Sequence, residues 1–433
     1  MLKKVFMKKV LLFLLAIVFL IGAVGCSEEQ EPSPVIEPKE FCQLKNGQIL
    51  FDSVENCDKF EIYSQSNLIA STKEDKFDVA RAIIDEQIIS YGKWDLNVKA
   101  LDASGQVISG YEQDFNFEIK ELNSNNFFTE LNGEYKDSDY YLVSEDIDLY
   151  GQGLYNKKSV DGYQKVTFAA PIAESACFFI TKTFTATIDG NGFSINALVD
   201  EHISWVTLPF VFGGVFYQVG ESGCIKNTQI FLDAKYENKS RPNSSASFIY
   251  KHKGTIENCY IDGILRPFIR LSTDKCAEQG IDYDNAPYLN KTDEKTALIS
   301  HALDGAVING CVFRLSVYNL EDEKLDGGGA VAFSSKNVIY KDVCFISDNG
   351  ESRFFNCYYQ NANSQSESPL SANGVYFYRS LRDLVDCNGY KVNGELSRTP
   401  LYDSFNEFCF AGINIWNIDN GELYLNGKLV VEA

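Results

Sequence analysis

Apolar and polar positions alternate around a recurrent Asn or Asp through the C-terminal three hundred residues. The phrase reads Ile225-Lys-Asn227-Thr-Gln-Ile230, then Ile256-Glu-Asn258-Cys-Tyr-Ile261, then Val307-Ile-Asn309-Gly-Cys-Val312. Weaker copies are Tyr340-Lys-Asp342-Val-Cys-Phe345 and Phe354-Phe-Asn356-Cys-Tyr-Tyr359. The position two before the Asn or Asp is apolar, and so is the position three after it. A plain strand keeps one parity for its inward face. Here the parity switches, so the chain must bend at that residue. Asn tolerates the unusual backbone angles of such a corner. Internal repetition of this kind predicts coils stacked along an axis, a parallel β-helix. Stacked about 4.8 Å apart, Asn227, Asn258, Asn309, Asp342 and Asn356 would form a structural ladder. The same parity points Cys259 and Cys357 inward. It points Cys311 and Cys344 outward in one column, as reduced thiols.

A second pattern precedes each phrase. Small and apolar residues alternate in Phe212-Gly-Gly-Val-Phe216, Ala246-Ser-Phe-Ile-Tyr250, Ala297-Leu-Ile-Ser300 and Ala330-Val-Ala-Phe333. These predict a companion strand in every coil. Further upstream, period-two runs at Lys59–Tyr63, Trp94–Leu101 and Asp114–Ile119 are separated by turn residues such as Ala103-Ser-Gly105. They predict a small β-sandwich over residues 41–120, followed by the β-helix over 126–433. The fold class is therefore all-β. The stretch Phe77–Ile89 admits a helical turn.

The N-terminus changes the picture of where the chain resides. Lys3, Lys4, Lys8 and Lys9 precede an apolar run from Val10 to Ile21. This fits a secretory signal over residues 1–25, too short to span a bilayer comfortably. Residues 26–40 are acidic and Pro-rich, with little to bury, and predict an extended tether. The formal net charge is -21, and removal of residues 1–25 takes away four lysines and no acid. Such a surface disfavours nucleic acid and anionic headgroups. Twelve cysteines occur, with no C-x-x-C, and only three histidines, His202, His252 and His301. The spacing gives no zinc site and implies no cofactor. Cys42 and Cys57 are close enough in sequence for a disulfide closing a small loop. Asp189-Gly-Asn-Gly192 lacks the spaced carboxylates of a calcium loop and reads as a tight turn.

Four resemblances rest on these residues. Ala23-Val-Gly-Cys26 resembles the lipobox of bacterial lipoproteins, with Ala23 where Leu is usual, and implies lipid attachment at Cys26. The acidic residues after it resemble the surface-export signal of Bacteroidota lipoproteins. Phe60–Ala70 and Trp94–Gly105 resemble a fibronectin type III-like or related Ig-like module. From about Asn126 onward, Tyr140–Leu149, Phe184-Thr-Ala-Thr-Ile-Asp-Gly-Asn-Gly-Phe-Ser-Ile195 and the Asn phrases resemble surface proteins with GLUG-type repeats. Those belong to the pectate-lyase-like right-handed β-helices; Ala186 stands where they carry Gly.

The resemblance implies a lipid-anchored protein at the cell surface of the bacterial envelope. It would touch the membrane through its anchor and act in adhesion, or in binding glycans or other surface proteins. β-Helix relatives also include polysaccharide lyases and hydrolases. The Asn-Thr-Asp, Asp-Asp, Gly-His-Gly and Arg-Ile-Lys motifs of the polygalacturonase type do not occur here, and no catalytic residue is assigned. A purely structural envelope component is the third reading. Specificity is expected where the repeat is interrupted: Asn227 to Asn258 is 31 residues, but Asn258 to Asn309 is 51. Insertions in a solenoid map to loops. This one carries Asp282, Tyr283, Asp284 and Tyr288, which suit a carbohydrate or protein surface.

Overall fold

The computed structural model describes residues 39–86, 91–149, 158–159, 162–163, 178–203, 212–238, 245–267, 273–282, 296–319, 323–325, 328–346, 353–361, 364–365, 375–386, 391–392, 396–397 and 415–431. The expected signal segment, Cys26 and most of the expected tether lie outside the described residues. Two compact units share the chain. The smaller comprises residues 1–42, 51–75 and 97–114; the larger comprises 43–50, 76–96 and 115–433. The expected boundary after residue 120 is therefore displaced. Strands Gly92–Leu101 and Val107–Leu122 each contribute to both units. Their period-two pattern continues unbroken, so it carries no mark of where the packing partner changes.

In the smaller unit, Lys59–Ser64 and Asn67–Thr72 form an antiparallel hairpin. Phe41, Phe51 and Phe60 stack on one face, with ring centroids of Phe51 and Phe60 4.1 Å apart. Cys42 and Cys57 are not bonded to each other, which corrects the expected disulfide. The Cys42 thiol turns to Gln113 Oε1 at 3.6 Å, and Cys57 donates to the Lys59 carbonyl at 3.3 Å. Burial, with Asp52 nearby, pushes Cys42 up to about 12.

The larger unit is a β-solenoid of three parallel sheets. The first sheet stacks Phe178–Phe184, Phe212–Val219, Ser245–His252, Ala297–Ala302, Gly329–Ser334 and Arg353–Asn361. The second stacks the end of Val107–Leu122 with Tyr140–Val143, Thr187–Asp189, Cys224–Lys226, Thr255–Glu257, Val307–Asn309 and Ile339–Lys341. The third stacks Ile147–Asp148, Ser194–Ile203, Gln229–Asn238, Tyr260–Arg266, Val312–Val317, Val343–Ile346 and Val375–Tyr378. One coil visits each sheet once, so identical environments recur at each strand spacing.

Like residues therefore stack on like. Ile188, Ile225, Ile256 and Ile308 are in register in the second sheet. In the third sheet, Ile147, Ile195, Ile230, Ile261, Phe313, Phe345 and Phe377 form a single inward file. Phe184, Phe216 and Phe248 add a ring stack from the first sheet at 5.6 and 5.5 Å. All of these are buried, and burial of each apolar side chain contributes about 1.5–3 kcal/mol. The helix Phe127–Asn132 joins the same core through Phe127 and Leu131. Its Asn132 Oδ1 accepts from the Thr181 backbone N–H at 2.9 Å.

Two further pieces pack on the solenoid. Gln48–Leu50 pairs with Lys76–Asp78, and Asp78 Oδ1 accepts from the Arg81 N–H at 2.8 Å at the start of the helix Val79–Glu86. The hairpin turn Asn46-Gly47, with φ of 53° and 76°, seats on Tyr140. A side chain at Gly47 would lie 2.5 Å from the Tyr140 ring, so only Gly fits. Beneath it Lys226, 3% exposed, donates to the Asn46 carbonyl at 3.2 Å and faces Asp78 at 3.5 Å and Asp189 at 3.9 Å. Burial pulls the Lys226 ammonium pKa down, but Asp78 and Asp189 outweigh it and the net shift is upward. Tyr140 donates to Asp189, and burial first, then Asp189, pushes the phenol well above its ordinary range.

The second piece is the terminal meander Trp416–Asp419, Glu422–Leu425 and Lys428–Leu429. It covers the outer side of the third sheet, where Tyr260, Val312, Cys344, Ile346 and Tyr378 are buried against Trp416, Leu423 and Leu425. Trp416 Nε1 donates to the Gly310 carbonyl at 3.0 Å, and Gln229 Nε2 to the Leu429 carbonyl at 3.0 Å.

Both pieces meet at the turn Asp189–Gly192. Asn191 Oδ1 accepts from Arg81 at 3.4 Å and from Asn426 at 2.6 Å.

Two outcomes are expected of these buried groups. Lys226→Met leaves two carboxylates without their cation and is expected to cost about 3–5 kcal/mol in urea unfolding. Addition of Asp189→Asn should recover part of that; equal stability of wild type and Lys226→Met would remove the assigned role. His252 is fully buried, and burial lowers its pKa from 6.5 to about 4 against a weaker pull from the Val307 carbonyl. The unfolded chain thus binds the extra proton first. Stability is full above pH 6.5 and declines as pH falls toward 4, by up to about 3 kcal/mol. His252→Leu should flatten that part of the stability–pH curve.

Candidate functional site

The corners where the second sheet passes to the third hold the repeated polar residue. Asn227, Asn258, Gly310 and Asp342 occupy them with φ of 55°, 51°, 60° and 51°. Each is the residue after a strand of the second sheet. Asn258 Nδ2 donates to Asn227 Oδ1 at 3.4 Å, and Asn227 Nδ2 to Asp189 Oδ1 at 3.1 Å. Two members of the expected ladder are placed elsewhere. Strand register pairs Ile256 with Ile308 and Glu257 with Asn309, so the third phrase is shifted by one residue. Gly310 takes the corner because a Cβ there would come within 2.5 Å of Asn258 Oδ1. Asn309 points instead to Glu257 Oε1 at 3.1 Å. Asn356 lies inside Arg353–Asn361 of the first sheet, between the pairs Phe355–Val331 and Cys357–Phe333, and is no corner. At Asp342, burial raises the carboxyl pKa against the opposing pull of Lys341.

The one-residue shift also relocates the thiols. Cys311 sits directly after its corner, as Cys259 does, and both are buried in the inner core. They donate to the carbonyls of Asn309 and Glu257 at 3.1 and 3.2 Å. Burial, reinforced by Cys311, holds the Cys259 thiol pKa far above its ordinary range. The expectation of Cys311 facing outward is thus overturned. Cys344 does face away from the inner core, but it is sealed under the terminal meander and shares no column with Cys311. The side chain of Cys357 lies outside the described residues.

The interruption between Asn258 and Asn309 leaves the third sheet after Tyr260–Arg266 and returns as Ala297–Ala302 of the first sheet. It contains the helix Thr273–Gln279, in which Cys276 is buried. Asp282 is exposed; Tyr283, Asp284 and Tyr288 lie outside the described residues.

The strand to which it returns belongs to a row of polar and aromatic side chains along the first sheet. Gln218, Lys251, His301 and Phe333 are successive register partners. The Lys251 ammonium donates to the Tyr217 hydroxyl at 3.3 Å and lies 5.1 and 4.8 Å from the Tyr217 and Tyr250 ring centroids. Contacts of this kind stabilise by about 0.5–2 kcal/mol. Tyr217 and Tyr250 are 5.8 Å apart, Tyr250 and His301 5.2 Å, and His301 and Phe333 4.9 Å. Tyr250 and Phe333 are 6% and 9% exposed; Tyr250 packs into the inner core, and Phe333 continues the row past His301. Tyr217, Gln218, Lys251 and His301 are half-buried and form the rim. Three successive coils thus place Gln218, Lys251 and His301 at one register position, beside aromatic rings.

Sequence reasoning did not single out this row. The small-plus-apolar phrases were read as ending at Phe216, Tyr250, Ser300 and Phe333. The rim residues Tyr217, Gln218, Lys251 and His301 lie just past the first three of those ends. Aligning the one or two residues after each phrase is the signal that would have found them. Among the described residues no group of three or more His, Cys, Asp or Glu side chains is placed to hold a metal ion.

No protein-family model matches the chain, and no curated protein matches it. Among solved structures, the chain is similar to the Family 28 exopolygalacturonase of Yersinia enterocolitica, at 12% identity and a TM-score of 0.22. The match covers 74% of this chain and spans 63% of that structure's chain.

The corner geometry is open to test. Asn258→Ala keeps a Cβ at positive φ and loses the amide bond, for a cost of about 2 kcal/mol. Asn258→Gly loses only the bond, for about 1 kcal/mol. Urea midpoints should rank wild type above Gly above Ala; Ala as stable as Gly would show that φ is not the governing constraint.

Proposed function

We propose that this protein is a lipid-anchored cell-surface β-solenoid that binds an extended polysaccharide along its first sheet without cleaving it. The observation that carries the reading is the row of Gln218, Lys251 and His301 on successive coils, with the rings of Tyr217, Tyr250 and Phe333 beside it. Carbohydrate recognition combines apolar ring contact with a few placed polar groups, and the row supplies both. The solenoid repeats that combination at each coil, which suits a polymer better than a compact ligand. The lipobox-like Ala23–Cys26 and the acidic, Pro-rich residues after it support an anchored, tethered placement at the bacterial surface. The interruption that carries Asp282, Tyr283, Asp284 and Tyr288 precedes the strand of His301 in sequence and is proposed to supply further ligand contacts.

The test uses the mature chain with Cys26→Ser on polysaccharide arrays, beside the double variant Lys251→Met, His301→Ala. Retention on at least one polysaccharide, lowered tenfold or more in the double variant, is the expected result. Release of reducing ends from the retained polymer, abolished by removal of one carboxylate, would establish an enzyme in its place. For the anchor, radioactive palmitate should label the wild type in cells and leave Cys26→Ser unlabelled.

A further inference from the structure

We infer that the ligand of the first sheet is a neutral glycan of extended, equatorially linked pyranoses, lying parallel to the solenoid axis with one sugar per coil. This rests on the reading of the row as a glycan site and adds its geometry and charge.

The spacing comes from the fold. Gln218, Lys251 and His301 sit on three consecutive strands and are direct register partners in the backbone ladder. Their separation along the axis is therefore the strand spacing, about 4.8 Å. The ring contacts between adjacent strands, Tyr217–Tyr250, Tyr250–His301 and His301–Phe333, at 5.8, 5.2 and 4.9 Å, are close to the same step. A chain whose sugars are joined through equatorial bonds runs nearly straight, and each ring advances it by about one such step. Three neighbouring sugars then reach three neighbouring polar groups, each sugar turned over relative to the one before it, so unlike groups such as Gln, Lys and His suit the alternating hydroxyls. An axially linked chain curls, so its second and third sugars leave the row.

The charge of the ligand is set by the surroundings. The chain carries a formal net charge of -21, which repels a polyanion at long range. Lys251 is the cation of the row, and its ammonium already lies against Tyr217 and Tyr250. Hydroxyl groups accept from Lys251, and exchange hydrogen bonds with Gln218 and His301, without demanding a full countercharge.

The test measures calorimetric affinities of the mature chain for β-1,4-linked gluco-, manno- and xylo-oligosaccharides from two to six units. Maltohexaose and a hexameric uronate serve as the contrasting probes. Affinity for at least one β-1,4 series should rise about fivefold per unit up to three units or slightly beyond, then level off. Gln218→Ala and His301→Ala should each lower hexamer affinity about fivefold and shorten the rise by one unit. Gln218→Ala alters a half-buried rim residue, so it keeps the test valid if the His301 variant folds poorly. A preference for maltohexaose or the uronate, lost in the row variants, would overturn the geometry or the charge while leaving glycan binding intact. Binding to no saccharide, or to a protein alone, would overturn both readings.

Discussion

One residue per coil must turn the chain from the second sheet to the third, and the rest of the solenoid depends on that corner. The turn needs a left-handed backbone conformation, which ordinary L-residues avoid and which Asn, Asp and Gly accept. Asn227, Asn258, Gly310 and Asp342 meet the requirement. Once the corner is fixed, the next strand starts in a fixed phase. The file from Ile147 to Phe377 then faces inward through every coil. A one-residue slip would turn each strand inside out. At the third coil Gly310 replaces Asn because the neighbouring Asn258 amide already fills the space.

Polar groups at the first described Asp-Gly-Asn-Gly turn do a different task. Asp189 receives Tyr140 and Asn227 and faces Lys226, while Asn191 accepts from Arg81 and Asn426. The helix near residue 81 and the meander near residue 426 thus share one acceptor. Buried charge is tolerated there because Lys226 lies between two carboxylates and a backbone carbonyl, and a lone charge at that depth would not be. Covering pieces of this kind give a solenoid polar outer surfaces where bare sheet would expose apolar side chains. The outer side of the third sheet is apolar for that reason: Tyr260, Val312 and Cys344 lie under Trp416.

The first sheet differs in carrying chemistry along its outside. Its inward side is held by Val215, Phe248, Leu298 and Ala330, so the rim residues can vary in type from coil to coil. Gln, Lys, His and Phe succeed one another at one register position. The corner keeps to Asn, Asp and Gly, the residues that accept a left-handed backbone, whereas this row keeps only its spacing. That contrast separates the corner, which the fold explains, from the row, which it does not.

The repeated phrase by itself determined the all-β class, the stacking of coils and the special backbone of the corner, because each arises from local sterics and period-two patterning. Asn227, Asn258 and Asp342 of the repeated phrase stand at such corners. Tertiary structure decided what local pattern leaves degenerate. Val307-Ile308-Asn309 admits two registers of equal apolar content, and the strand pairing with Ile256 selects the second, which sends Cys311 inward. Phe354-Phe-Asn356 matches the phrase in composition, yet its strand pairs with Gly329–Ser334 and makes no corner. The meeting of Asp78 with Asp189 and Lys226 brings in a residue 148 positions from Lys226, and no local signal marks it. The row of Gln218, Lys251 and His301 likewise exists only once three coils are laid on one another, because unequal loops separate residues that the stacking brings into line.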